Sequence, residues 1–358
     1  MNLKRTKEVA FVAASALISL TSCVSTLTEE PSSVREYSDE LVITLSPPEE
    51  VKTRADLHEG YTLRYVAKVI PFVNKQLGSV DETKTKRKEI LDDSNGTSTK
   101  ELRFQVDQDK DYRIVVFADY IKDKTPNSEG NFRDCFYDTS SKNEIVRMFT
   151  TPSDPSNSIT GNDNSFSDSF FNNDNYDCFS ASSDTYKDAF NVRIPMNLKR
   201  AVAKVQFIDE STNKGTLDKV YLSKLGIFNN YNISNGSRGG SFKEVSTPKT
   251  FDSSKLTIDN DNSFFYFYTF AFPDTSNPTK ISVNISTSIK ESDNNINIQK
   301  NDITVMRNYK TQIKGILIQQ KPNSDSTDNN DPSLDLGNEI ILDMTTNHEW
   351  QNTHSEPF

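Results

Sequence analysis

The chain has 358 residues, enough for one very large domain or two ordinary ones. Hydrophobic residues make up 34% and charged residues 26%, with aromatics at 10%, mostly Phe and Tyr. This is a polar chain that can still build cores, and its aromatics suit sheets. The formal net charge of −10 argues against binding nucleic acid, or an anionic membrane surface, through the protein's own charge.

The chain opens with Lys4, Arg5 and Lys7, then an apolar run of 12 residues from Val9 to Leu20, too short to span a bilayer comfortably. Small residues and Cys23 follow, which is the layout of a secretory signal. The stretch LTSC resembles the lipobox of bacterial lipoproteins. That resemblance implies that residues 1–22 are removed and that Cys23 is acylated, so that two or more acyl chains hold the protein to a membrane. Removing the three bases and one acid of residues 1–22 takes the charge from −10 to −12. Residues 23–35 read as a polar tether.

The remaining sequence reads as short strands. ELVITLS alternates, with Leu41, Ile43 and Leu45 on one face, and Pro47 and Pro48 stop it. The polar stretch after it, including Arg54 and Ala55, is expected to be exposed. Strands are expected at 61–70, 101–107 and 111–120, a charged loop at about 80–100, and a short helix at 142–149. Residues 150–190 are rich in Asn, Asp and Ser and read as irregular structure. A second run of strands is expected at 191–209, 219–229, 262–273, 280–289 and 308–320, with a last alternating segment through Ile340, Leu342 and Met344. The resulting expectation is an all-β chain of two transthyretin-like, Greek-key β-sandwich domains, 36–190 and 191–358, with few short helices. No internal repeat is clear.

Little in the sequence points to chemistry. His58, His348 and His354 have no metal spacing, and no phosphate loop, nucleotide fingerprint, serine elbow or zinc motif occurs. No enzyme, metal or cofactor is expected. Cys135 and Cys178 leave two outcomes open: a disulfide closing a loop of about 40 residues, or two thiols.

Three features taken together, namely the lipobox and tether, the early strand followed by KTRA, and two all-β domains, resemble the fimbrillin family of type V pili. NLKRAVAKVQF (197–207) resembles the strand that opens that family's second domain. RNYKTQIKGILI (307–318) resembles its recurring segment near the end. The resemblance implies export as a lipoprotein to the outer membrane and cell surface, followed by cleavage between Arg54 and Ala55 by an arginine-specific protease. Loss of the strand carrying Leu41, Ile43 and Leu45 would then open a groove for another fimbrial subunit's strand. The segment with Ile340, Leu342 and Met344 is the candidate donor, and pairing within its own domain is the alternative. The partners implied are other fimbrial subunits and the outer membrane through lipid, with no nucleic acid. The competing expectation is a monomeric lipid-anchored protein that binds a glycan or host ligand.

Overall fold

The computed structural model describes residues 40–46, 60–73, 80–93, 98–108, 110–141, 144–147, 171–183, 191–210, 216–234, 236–239, 242–245, 249–252, 263–272, 279–289, 295–315 and 343–347. All lie within the unit Ser38–Phe358. The described residues are mostly strand, with short 3-10 turns at Glu82–Lys84 and Asp174–Tyr176 and a long irregular stretch at 122–136.

The first half contains β1 (Glu40–Ser46), β2 (Thr62–Pro71), β3 (Lys86–Asp92), β4 (Lys100–Gln105), β5 (Tyr112–Ile121), β6 (Tyr137–Asp138), β7 (Glu144–Arg147), β8 (Phe179–Ser182), β9 (Val192–Asn197) and β10 (Lys199–Arg200). A three-stranded sheet, β4-β1-β9, faces a five-stranded one, β10-β8-β5-β2-β3. Alternation decides what lies between them. Leu41, Ile43 and Leu45 of β1 share one core with Leu63, Tyr65, Ala67 and Val69 of β2, with Ile114, Val116 and Ala118 of β5, and with Ile194 and Met196 of β9. By pairing, this half runs past residue 190 to Arg200, because β9 joins β1 and β10 joins β8.

The second half contains β11 (Val202–Asp209), β12 (Leu217–Phe228), β13 (Asn230–Asn232), β14 (Ser237–Arg238), β15 (Phe242–Val245), β16 (Lys249–Asp252), β17 (Ser263–Phe270), β18 (Thr279–Ile289), β19 (Asn295–Val305), β20 (Lys310–Gly315) and β21 (Asp343–Asn347). The sheet β17-β11-β20-β21 faces β15-β12-β18-β19, with β16 also on β12. Phe207, Phe265, Phe267, Leu222, Leu225, Val283 and Ile303 are among the residues filling the space.

Seven strands of one sandwich match seven of the other in order and pairing, although the sequence shows no clear repeat. β1 lies antiparallel to β4 and parallel to β9, as β11 lies antiparallel to β17 and parallel to β20. The order β3-β2-β5-β8 corresponds to β15-β12-β18-β19. A small sheet, β14-β13-β7-β6, joins the halves: Tyr231 of β13 pairs with Ile145 of β7. Ile70, Val115, Phe117, Phe136 and Ile145 from the first half also belong to the second half's core.

Several expectations are corrected here. Residues 144–147, read as helix, form a strand whose Ile145 is fully buried, because the pairing partners on both sides override the local amphipathic spacing. The segment 80–100, read as loop, contains β3, an edge strand whose Lys86, Arg87 and Lys88 are half-buried or exposed. The polar strand β19 lies in a stretch the sequence left unassigned.

The two segments that carry the sequence resemblance are neighbours in space. β20 runs parallel beside β11, with Lys204 opposite Lys310. Asn308 takes a positive φ of 64° and donates its backbone N–H to the Val202 carbonyl at 2.9 Å. Arg307 donates to the carbonyls of Arg200 (2.8 Å) and Gly236 (2.6 Å). The Arg200 guanidinium is buried against Asp177 at 2.8 Å. These residues serve the joint between the halves.

Candidate functional site

The first strand is the candidate site. Three apolar residues alternating with Val42 and Thr44 make β1 a strand with one core face. Leu41, Ile43 and Leu45 are each 0% exposed. Burying three such side chains contributes at most about 5–9 kcal/mol relative to an exposed chain. β1 is also the middle strand of its sheet. Ile43 stands opposite Leu102 of β4 on one side and Ile194 of β9 on the other. Taking β1 away would therefore uncover an apolar trough and leave backbone donors and acceptors unpaired along both walls.

The opposite face of this sheet carries a row of charges. Val42 lies beside Arg103 of β4 and Arg193 of β9, and Thr44 beside Glu101 and Pro195. Arg193 Nη1 bonds to Glu101 Oε1, so a pair formed between β4 and β9 passes over β1. Arg103 extends the row, reaching Glu101 Oε2 at 3.4 Å and Glu40 Oε2 at 3.1 Å. The hydrogen bond from Arg193 holds the Glu101 carboxyl below the usual carboxylate range. The Thr44 hydroxyl is sealed from solvent beneath this row and has no hydrogen-bond partner.

Both outer edges of the sheet are guarded. Lys86 Nζ donates to the Gln105 carbonyl and Lys88 Nζ to the Arg103 carbonyl, each at 2.5 Å. Those carbonyls are two residues apart and so point the same way along β4. β9 carries Pro195, which has no N–H to offer a further strand. Lysines and proline at edges block lateral pairing.

A second polar feature lies on the other face of β2. Arg64 is fully buried, with Nη2 at 2.8 Å from Asp119 and 2.8 Å from Asp134, and Nη1 at 3.4 Å from Glu89. Burial works against the Arg64 charge, but Asp119, Asp134 and Glu89 outweigh it and raise its pKa. Burial pushes the Asp119 carboxyl up to about 6 against the pull of Arg64. Lys68 Nζ donates to the Thr139 carbonyl at 2.9 Å and to that of Ser141. Burial, aided by Arg87, brings its pKa down to about 7. The network pins residues 132–141 across the sheet, and the sequence reading missed it. The only signal was two basic residues, Arg64 and Lys68, at even positions of an otherwise apolar strand.

Cys23, Arg54, Ala55, Ile340 and Leu342 lie outside the described residues. Met344 falls in β21, which pairs antiparallel with its own chain's β20 and places Met344 opposite Ile313. β21 is an edge strand with one neighbour among the described residues. Cys135 carries a free thiol, and burial pushes its pKa up to about 11. Cys178 is buried in the second half's core and Cys135 packs at its margin. Among the described residues there is no cluster that could hold a metal ion, and no helix long and apolar enough to cross a membrane.

A family model described as a family of unknown function, DUF6562, matches residues 31–352. No curated protein matches the chain. Solved structures similar to it include a candidate cell adhesion protein of Bacteroides eggerthii, with 12% identity over 86% of this chain and 96% of that one and a TM-score of 0.42. A fimbrial assembly protein of Parabacteroides distasonis shares 12% identity over 86% and 98%, with a TM-score of 0.38. The tip fimbrial protein of Porphyromonas gingivalis, with a C-terminal truncation, shares 13% over 86% and 99%, with a TM-score of 0.40.

Proposed function

The chain belongs to the family of unknown function DUF6562, and from that premise we propose that it is a structural or accessory subunit of a cell-surface fimbria, assembled by strand exchange and serving adhesion. One observation supports this above the rest. The first strand is a separate, fully seated middle strand, whose departure would leave a trough shaped for another strand of the same alternation. The sequence resemblance to fimbrillins supplies the route: export as a lipoprotein through Cys23, a cut between Arg54 and Ala55, and loss of Leu41, Ile43 and Leu45 with the anchor. A neighbouring subunit then pairs with β4 and β9 at once, by β-augmentation. The donor is the C-terminal segment of Ile340, Leu342 and Met344, of which Met344 would first have to leave β20.

A second reading rests on a specific observation: β21 is already paired at home with β20. If it stays there, the protein remains a lipid-anchored monomer on the outer membrane that binds a glycan or host ligand. Mass spectrometry of the mature N-terminus from native cells separates the two. A start at Ala55, together with ladders resistant to mild denaturant, is expected for assembly, and Arg54→Ala should abolish both. A start at acylated Cys23 in a monomeric protein would overturn assembly in favour of the anchored binder.

A further inference from the structure

β4 and β9 are separated by β1, so their backbones lie about 10 Å apart. Side chains can meet across that distance only on a face of the sheet, and only where the strand between them presents short residues. Arg193, beside Val42, and Glu101, beside Thr44, meet in this way. The pair crosses β1 between Val42 and Thr44. Arg103 and Glu40 continue the row, so that two arginines alternate with two glutamates. Neither partner of the crossing pair belongs to β1, and both remain if the strand departs.

We propose that Glu101 and Arg193 form a clasp over the slot of β1, retaining the strand and selecting what can occupy it. The inference rests on the strand-exchange reading and names the residues that set its specificity. The core side of the slot asks for large apolar residues at the places of Leu41, Ile43 and Leu45. The clasp side asks for short uncharged residues at the places of Val42 and Thr44. A long or charged side chain there would have to displace the ion pair or lie beneath it without solvent. The sealed Thr44 hydroxyl is an independent sign that the clasp closes: a polar atom on the outward face of a sheet has lost access to water. Arg193 and Glu101 are 57% and 37% exposed, so the clasp is salt-sensitive and reversible, which suits a retainer that must open.

Hydrogen exchange of the full-length protein tests this. Glu101→Gln and Arg193→Gln should each speed exchange of the β1 amides about two- to fivefold at low salt and leave β11 unchanged. The charge-swapped double variant, Glu101→Arg with Arg193→Glu, should restore the slower rate. High salt should bring the wild type to the rates of the single variants. Thr44→Arg should speed β1 exchange, whereas Thr44→Val should not. Equal β1 rates in wild type and single variants, a swap that fails to restore, or equal acceleration of β11 would each overturn the clasp. If the exchange results hold while native protein proves to be an unassembled monomer starting at Cys23, the strand-exchange reading falls and the clasp stands as a lock on an internal strand.

Discussion

β1 and β11 occupy the same place in two matching sandwiches, yet they are held in opposite ways. Every residue of β11 is buried, so that strand is packed on both faces. Val205 and Phe207 lie in the second half's core, while Lys204 sits over the Tyr266 ring at 3.7 Å on the other face. β1 buries one face only and covers the other with ion pairs. Its neighbours β4 and β9 have guarded outer edges, whereas β20, the counterpart of β9, accepts β21. One fold thus contains a strand fixed by two-sided packing and another retained by one-sided packing and charge.

The largest test of that contrast is Phe207→Ala. It should cost about 3–5 kcal/mol and lower the melting of the whole molecule, read by calorimetry. Ile43→Ala should cost about 2–4 kcal/mol, but its first sign should be faster amide exchange in β1 while β11 stays protected. If β1 and β11 loosened together, the two strands would not differ as described.

A pH series should show up to about 1.4 kcal/mol per pH unit from Lys68 of the first half. The Lys68 pKa of about 7 is below the ordinary lysine value, so protons favour the unfolded chain. Stability from this group is complete above the unfolded pKa and is lost as pH falls towards 7. The melting temperature should rise from about pH 7.5 to about pH 9.5, and Lys68→Met should flatten that rise. Asp119 works in the opposite sense: its raised pKa gives stability below the unfolded value that is lost as pH climbs through about 6. The smallest effect concerns Thr44. Replacing an unpartnered, sealed hydroxyl by an isosteric methyl in Thr44→Val should be neutral or stabilise by about 1 kcal/mol, read as the urea midpoint. A clear loss instead would mean that the hydroxyl does have a partner.

Much of the framework was legible because alternation is a local property. β1, β2, β4 and β5 show apolar residues at every second position, and the all-β character follows from them. β3 hid because an edge strand beside lysine-capped carbonyls needs charged residues, and KRKEILD looks like a loop. β7 hid because four residues carry no decisive period. The core side of the candidate site could be read from Leu41, Ile43 and Leu45. Its clasp could not, since Glu101 and Arg193 are 92 residues apart and meet only through the register of two separate strands on β1. The same holds for the match between the halves, which lies in strand order and not in residue identity.

The small sheet between the sandwiches has a mechanical consequence. Main-chain pairing of β7 with β13, together with Arg307 reaching back to the Arg200 carbonyl, removes the hinge that two-domain chains usually keep at their waist. Bending there would break backbone bonds and shear a common core, so the two sandwiches resist flexing against each other. Any filament built from such molecules would take its curvature from the joints between molecules and none from within them.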